Sequence, residues 1–260
     1  MTTSPFYPQP PHLMVQVWTP QRAVQAFAAV SRAVQASGAT PAGALETAPA
    51  GLTYVWRTDL GDALRQQDVD GDDYWQLVSG ADTSIQVVRA AFIRGDEPVV
   101  VEYGPAPAGE THPLIVTTYA AGLDLPEDIR EEADEATGRR TAQWSLSLLS
   151  RMAADTGALY GTVTVEESMP AAAELAAGAE LTGTPFVARA LSDAVPDLLP
   201  ALRAAMANLQ EIELATGTAF VGDAAFRTDG AATVWADHTL DAEVGRLVGT
   251  AVNTLLGRER

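Results

Sequence analysis

Cysteine and lysine are both absent from this sequence, and all sixteen basic side chains are arginine. Without cysteine there is no disulfide, no thiolate nucleophile, no iron–sulfur cluster and no cysteine zinc site. Without lysine there is no Schiff base, no covalently held pyridoxal cofactor and no phosphate-loop lysine. A GC-rich genome, which exchanges Lys for Arg, accounts for both. Histidine is scarce: His12, His112 and His238 are scattered, none paired at i, i+4, so no histidine metal site is expected. Nor is there a G-x-S-x-G elbow, a Walker loop, a G-x-G-x-x-G turn or an H-E-x-x-H helix. The residues therefore point to no metal and no cofactor.

Positive charge is the next shortage. Thirty-four acidic residues against sixteen basic ones give a net charge of −18. A nucleic-acid partner needs a basic footprint, and an anionic membrane surface would be repelled by the same field. A basic protein would instead be attracted and its encounter speeded. No run approaches the ~18 consecutive apolar residues of a membrane span. The opening "MTTSPFYPQPPHL" has neither the basic cluster nor the apolar core of a secretory signal, so a cytoplasmic protein is expected.

What is present suits a globular chain: 47% hydrophobic and 19% charged residues. At this length roughly three quarters of the unfolded surface can be buried, without a metal or disulfide staple. Residues 1–12 read as an extended, proline-rich arm. Leu13–Trp18 alternates as a strand, here read as a sheet edge open to another chain. Residues 19–38 follow as a helix, with Thr19 as cap and Gly38 as stop. Residues 39–51 read as a loop, and "LTYVWRT" after them as a strand. "SIQVVRAAFI" and "PVVVEYG" flank a Gly-Asp turn, and "LIVTTYA" adds another strand.

The second half opens on a helix, expected to break near Gly138, whose later part carries Trp144, Leu148, Leu149 and Met152 on one side. Strand "ALYGTVTVEE", a short helix, strand "PFVARAL" and a helix from Ser192 through "NLQEIE" come next. An Asp229-Gly230 hairpin between "AAFRT" and "AATVWA" then leads to a closing helix, Leu240 to Leu256. The expectation is an α+β fold, mostly antiparallel, with helices packed on one face. It is organised as a lobe over 13–121 and another over 122–260, or as one continuous domain.

Three stretches invite chemistry. In "DVDGDDY", Asp68, Asp70 and Asp72 alternate as in a calcium loop. The pattern fails at Asp73, where glycine is required, and at Ser79, where glutamate is. A solvated acidic turn followed by a contact aromatic, Trp75, remains, and Asp70, Asp72, Asp73 and Trp75 are candidates for partner binding. In "EDIREEADE", Glu127, Glu131 and Glu135 share a helical face with Glu132 beside them. Such a run is a solvated face or a docking surface for a basic partner. Lastly, Asp237–His238 is the one acid–histidine doublet. Adjacent side chains on an extended chain point apart, so catalysis would need a remote partner such as Asp223 or Asp229. Capping of the closing helix explains the doublet more simply.

Two functional classes stay open on these residues. One is a non-catalytic acidic binding protein, such as an immunity-type inhibitor, a secretion chaperone or an adaptor. The other is a small hydrolase or transferase using carboxylates and His238.

Overall fold

Among the described residues, period-two alternation and turn-forming glycines build ten strands, all antiparallel, into one sheet. The computed structural model describes residues 6–21, 23–49, 65–69, 71–80, 86–103, 113–123, 125, 129–228 and 238–258. The strands are β1 (His12–Trp18), β2 (Thr40–Pro49), β3 (Arg65–Asp68), β4 (Gln86–Arg94), β5 (Glu97–Tyr103) and β6 (Leu114–Tyr119). They continue with β7 (Tyr160–Val165), β8 (Thr184–Ala188), β9 (Gln210–Leu214) and β10 (Gly217–Val221). The helices among the described residues are α1 (Ala23–Ala36), α2 (Gly71–Gly80), α3 (Glu132–Thr156), α4 (Ala172–Ala176), α5 (Arg189–Ala194), α6 (Leu198–Ala205) and α7 (His238–Leu255). The expected α+β, antiparallel class is the one adopted.

Sheet order is β3-β2-β4-β5-β6-β1-β7-β8-β10-β9. Strands from both halves of the chain thus share one sheet, joined through β1. This corrects the reading of Leu13–Trp18 as an open edge: β1 pairs with β6 on one side and β7 on the other. Its residues Leu13, Val15, Gln16, Val17 and Trp18 are fully buried, as a central strand requires.

One face of the sheet is mainly apolar, with Thr118 and Thr184 among its few buried polar side chains. Leu13, Val15, Val17, Val88, Phe92, Val101, Val163 and Phe186 pack there against Phe27 and Val34 of α1, Val78 of α2, and Leu148, Leu149 and Met152 of α3. Fully burying such a side chain is worth about 1.5–3 kcal/mol. The opposite face carries a second core of Trp18, Tyr160, Val187 and Phe220 under Leu175, Leu191, Leu202, Val244 and Val248 of α4–α7. Phe186 and Val187 are neighbours on β8 and point to opposite sides, so helices flank both faces. Farther along this second face, Phe6 of the N-terminal arm covers Ala44, Ala91 and Val100.

Between these patches the second face is polar. Glu46, Arg89 and Glu102 stand directly opposite one another on β2, β4 and β5. Arg89 Nη1 donates to Glu46 Oε2 at 3.1 Å, and its Nε donates to Glu102. Burial opposes the arginine charge, but the carboxylates of Glu102 and Glu46 more than offset it, holding its pKa above the ordinary arginine value. Gln16 on β1 donates to Thr164 Oγ1 (3.0 Å) and Glu167 O (2.8 Å) and accepts from the Met169 amide (2.8 Å).

Several local expectations are corrected. Residues 40–49 are a strand, not a loop. Their Pro and Gly belong to a bulge between Pro41 and Leu45, where Gly43 takes a positive φ of 69°. Helix α3 runs unbroken through Gly138, which is buried against Gly122; a Cβ there would lie 2.6 Å from the Gly122 carbonyl. Arg189–Leu191 is helical rather than strand. Val195 ends α5 ahead of Pro196, and "QEIEL" is the edge strand β9. Residues 224–228 form a turn and a bend instead of a strand, and residues 229–237 of the expected hairpin, with "LTYVWRT", lie outside the described residues. Leu255 is 39% exposed at the end of α7. The Gly95-Asp96 turn between β4 and β5 is as expected.

Candidate functional site

The first acidic stretch straddles the junction of β3 and α2. Asp68 ends the strand and accepts from Gln66 Nε2 at 3.1 Å. Asp73 is exposed on α2, whereas Asp70 and the side chain of Asp72 lie outside the described residues. Trp75 sits in the helix and not in a loop. It meets Tyr74 edge-on at 5.4 Å and Phe92 at 6.4 Å, with the Arg32 guanidinium 5.8 Å from its ring. It is half-buried because the helical spacing of Tyr74 and Val78 turns this side of α2 toward the core. Burial also pushes the Tyr74 phenol above its ordinary range.

The second stretch is built more definitely. Glu131 is the N-cap of α3, and its amide donates to Asp134 Oδ2 at 3.1 Å. Glu135 pairs with Arg139 one turn on, at 2.8 Å. Acids in a first turn face the positive end of the helix dipole, which stabilises both. Glu131, Glu132 and Glu135 are exposed, and Glu127 lies outside the described residues.

Immediately before this turn stands an arginine fork. Arg130 donates from Nη1 and Nη2 to the two oxygens of Asp223, at 3.0 and 2.9 Å, and from Nε to Leu125 O at 2.7 Å. The Arg130 side chain is nearly buried by this fork, which ties the start of α3 to the turn after β10. Its neighbour Ile129 points outward and is 58% exposed. Asp223, offered above as a remote partner for His238, is committed to Arg130 and to the Ala225 amide at 2.7 Å. Sequence reasoning missed this clamp, although Arg130 is the single cation in "EDIREEADE" and was a readable signal.

Histidine behaves differently from expectation. The backbone of His238 opens α7, two residues ahead of the expected start at Leu240, with Asp241 in the first turn. The His238 side chain, Asp237 and His112 lie outside the described residues. The acid–histidine pair that the structure does contain is His12 with Glu166. His12 Nδ1 lies 3.0 Å from Glu166 Oε1, and Nε2 lies 3.1 Å from Pro8 O. Glu166 adopts a left-handed φ of 61°, and its carboxylate also accepts from the His12 amide at 2.6 Å. Nothing local signals this pair, because it forms only when β1 lies beside β7. His12 is buried with both ring nitrogens engaged, which suits a lock between strands rather than a reacting group.

No family model and no curated protein matches this chain. Among solved structures, it is similar to a Pseudomonas aeruginosa T6SS protein at 12% identity and a TM-score of 0.39, over 94% of this chain and 83% of that one.

No group of three or more His, Asp or Glu among the described residues is placed to hold a metal ion. No described helix is long and apolar enough to cross a membrane. The start of α3 presents the exposed Ile129, next to the anchored Arg130 and shortly before the exposed Glu131, Glu132 and Glu135.

Proposed function

We propose that this chain is a non-catalytic, cytoplasmic protein-binding protein of the adaptor, inhibitor or chaperone kind, and that its partner is a basic protein. The observation that carries the reading is Ile129: a large apolar side chain, 58% exposed, beside Glu131, Glu132 and Glu135. Arg130 and Asp223 hold the backbone there, so little ordering is lost when a partner docks. An apolar contact with a charged rim is the composition of a protein interface, and the net charge of −18 steers a cationic partner toward it.

The test is capture of the partner from the source cells, followed by binding kinetics at graded salt. Association should slow steeply with salt. The variant Glu131→Gln/Glu132→Gln/Glu135→Gln should slow association, and Ile129→Asp should weaken the complex about tenfold. A partner that binds with no salt dependence and tolerates Ile129→Asp refutes the reading.

A further inference from the structure

Against this acidity, α3 carries one arginine cleft. Arg140, Trp144, Ser147 and Arg151 follow at helical spacing along a single stripe, and with Gln143 and Ser37 they line an open cleft of 360 Å³. Trp144 is held from both sides. Its Nε1 donates to Ser37 O at 3.2 Å, and the Arg94 guanidinium lies 4.0 Å from its ring centre. Arg94 itself is paired with Glu97 at 3.3 Å. Arg140 bonds only to a neutral hydroxyl, Thr137 Oγ1 at 3.0 Å, and Arg151 has no ion pair among the described residues.

Arg32, Arg189 and Arg246 also have no ion pair among the described residues; what distinguishes Arg140 and Arg151 is that they lie on one helical stripe and flank an oriented indole. Their Cα atoms lie about 16 Å apart along the helix. An extended peptide rises about 3.3 Å per residue and returns a side chain to the same face at every second residue, so two carboxylates four residues apart share one face about 13 Å from each other, within reach of the two long arginine side chains.

We infer that the Arg140–Trp144–Arg151 cleft binds an extended acidic peptide segment. One carboxylate lies on each arginine, and an apolar or aromatic side chain stacks on Trp144 between them. This site is separate from the Ile129 face and opposite in charge.

The probe is a fluorescently labelled peptide, acetyl-Glu-Ala-Phe-Ala-Glu-amide, whose two Glu and Phe share one face when extended, titrated into the full chain and followed by anisotropy. Binding should weaken roughly tenfold in Arg140→Gln and in Arg151→Gln. It should vanish in the double variant and with a peptide whose Glu residues are replaced by Gln. Both arginines are exposed, so these variants fold, and circular dichroism verifies it. Glu131→Gln/Glu132→Gln must leave peptide binding intact, which keeps this test independent of the Ile129 reading. The inference is overturned by absent binding, by equal binding of the Gln peptide, or by an unaffected double variant. Full displacement by millimolar phosphate also overturns it, since that marks a general anion site.

Discussion

The two faces of the sheet solve the same burial problem differently. The face under α1–α3 is mainly apolar from Leu13 to Phe186, whereas the other joins an ion row, an amide-centred network and an aromatic stack. Trp18 and Tyr160 form that stack, their rings 5.6 Å apart and 15° from parallel. Apolar burial is non-directional, so many side chains of the right size will fill the first face. Each polar patch on the second needs named partners, and losing one leaves the others stranded.

Arg89→Met should therefore have the largest effect. It leaves Glu46 and Glu102 buried without their cation and should cost about 3–5 kcal/mol in urea denaturation. Converting the whole row, Glu46→Leu/Arg89→Met/Glu102→Val, should recover that loss or exceed wild-type stability. A triple variant as weak as the single one would mean that packing, not charge, dominates there. Next comes Gln16→Leu, which strands the Met169 amide and should cost about 1–3 kcal/mol, with faster hydrogen exchange at Met169. The smallest effect belongs to the exposed edge. Arg203 holds Glu211 through Nε and Nη2, both at 3.0 Å, yet Arg203→Gln should leave the denaturation midpoint unchanged because solvent screens the pair.

This contrast also separates what was legible from what was not. The apolar face was readable, because α1, the β4–β5 hairpin and β7 each announce themselves by local periodicity. Strand β2 was not, since Pro41 and Gly43 read as loop residues until a neighbouring strand accommodates their bulge. Strand β9 read as the tail of a helix because "NLQEIE" has helical composition and its strand pairing comes from β10. The acidic start of α3 was visible as a charge run. Its anchoring was not, because Arg130 and Asp223 lie 93 residues apart. His12 and Glu166 met the same limit, and so did the central position of β1. Periodicity identifies a strand; only its neighbours identify its place.

The central position of β1 has a consequence in time. It is synthesised before the other strands of this sheet, yet one of its two neighbours ends where Glu166 follows, 154 residues after His12. At about 5–20 residues per second, the nascent chain waits roughly 8–30 seconds before β1 finds its second neighbour. Throughout that interval Leu13, Val15 and Val17 form an apolar ribbon with an unfilled side. The sheet is thus completed around its oldest strand, and the order of synthesis runs opposite to the order of closure.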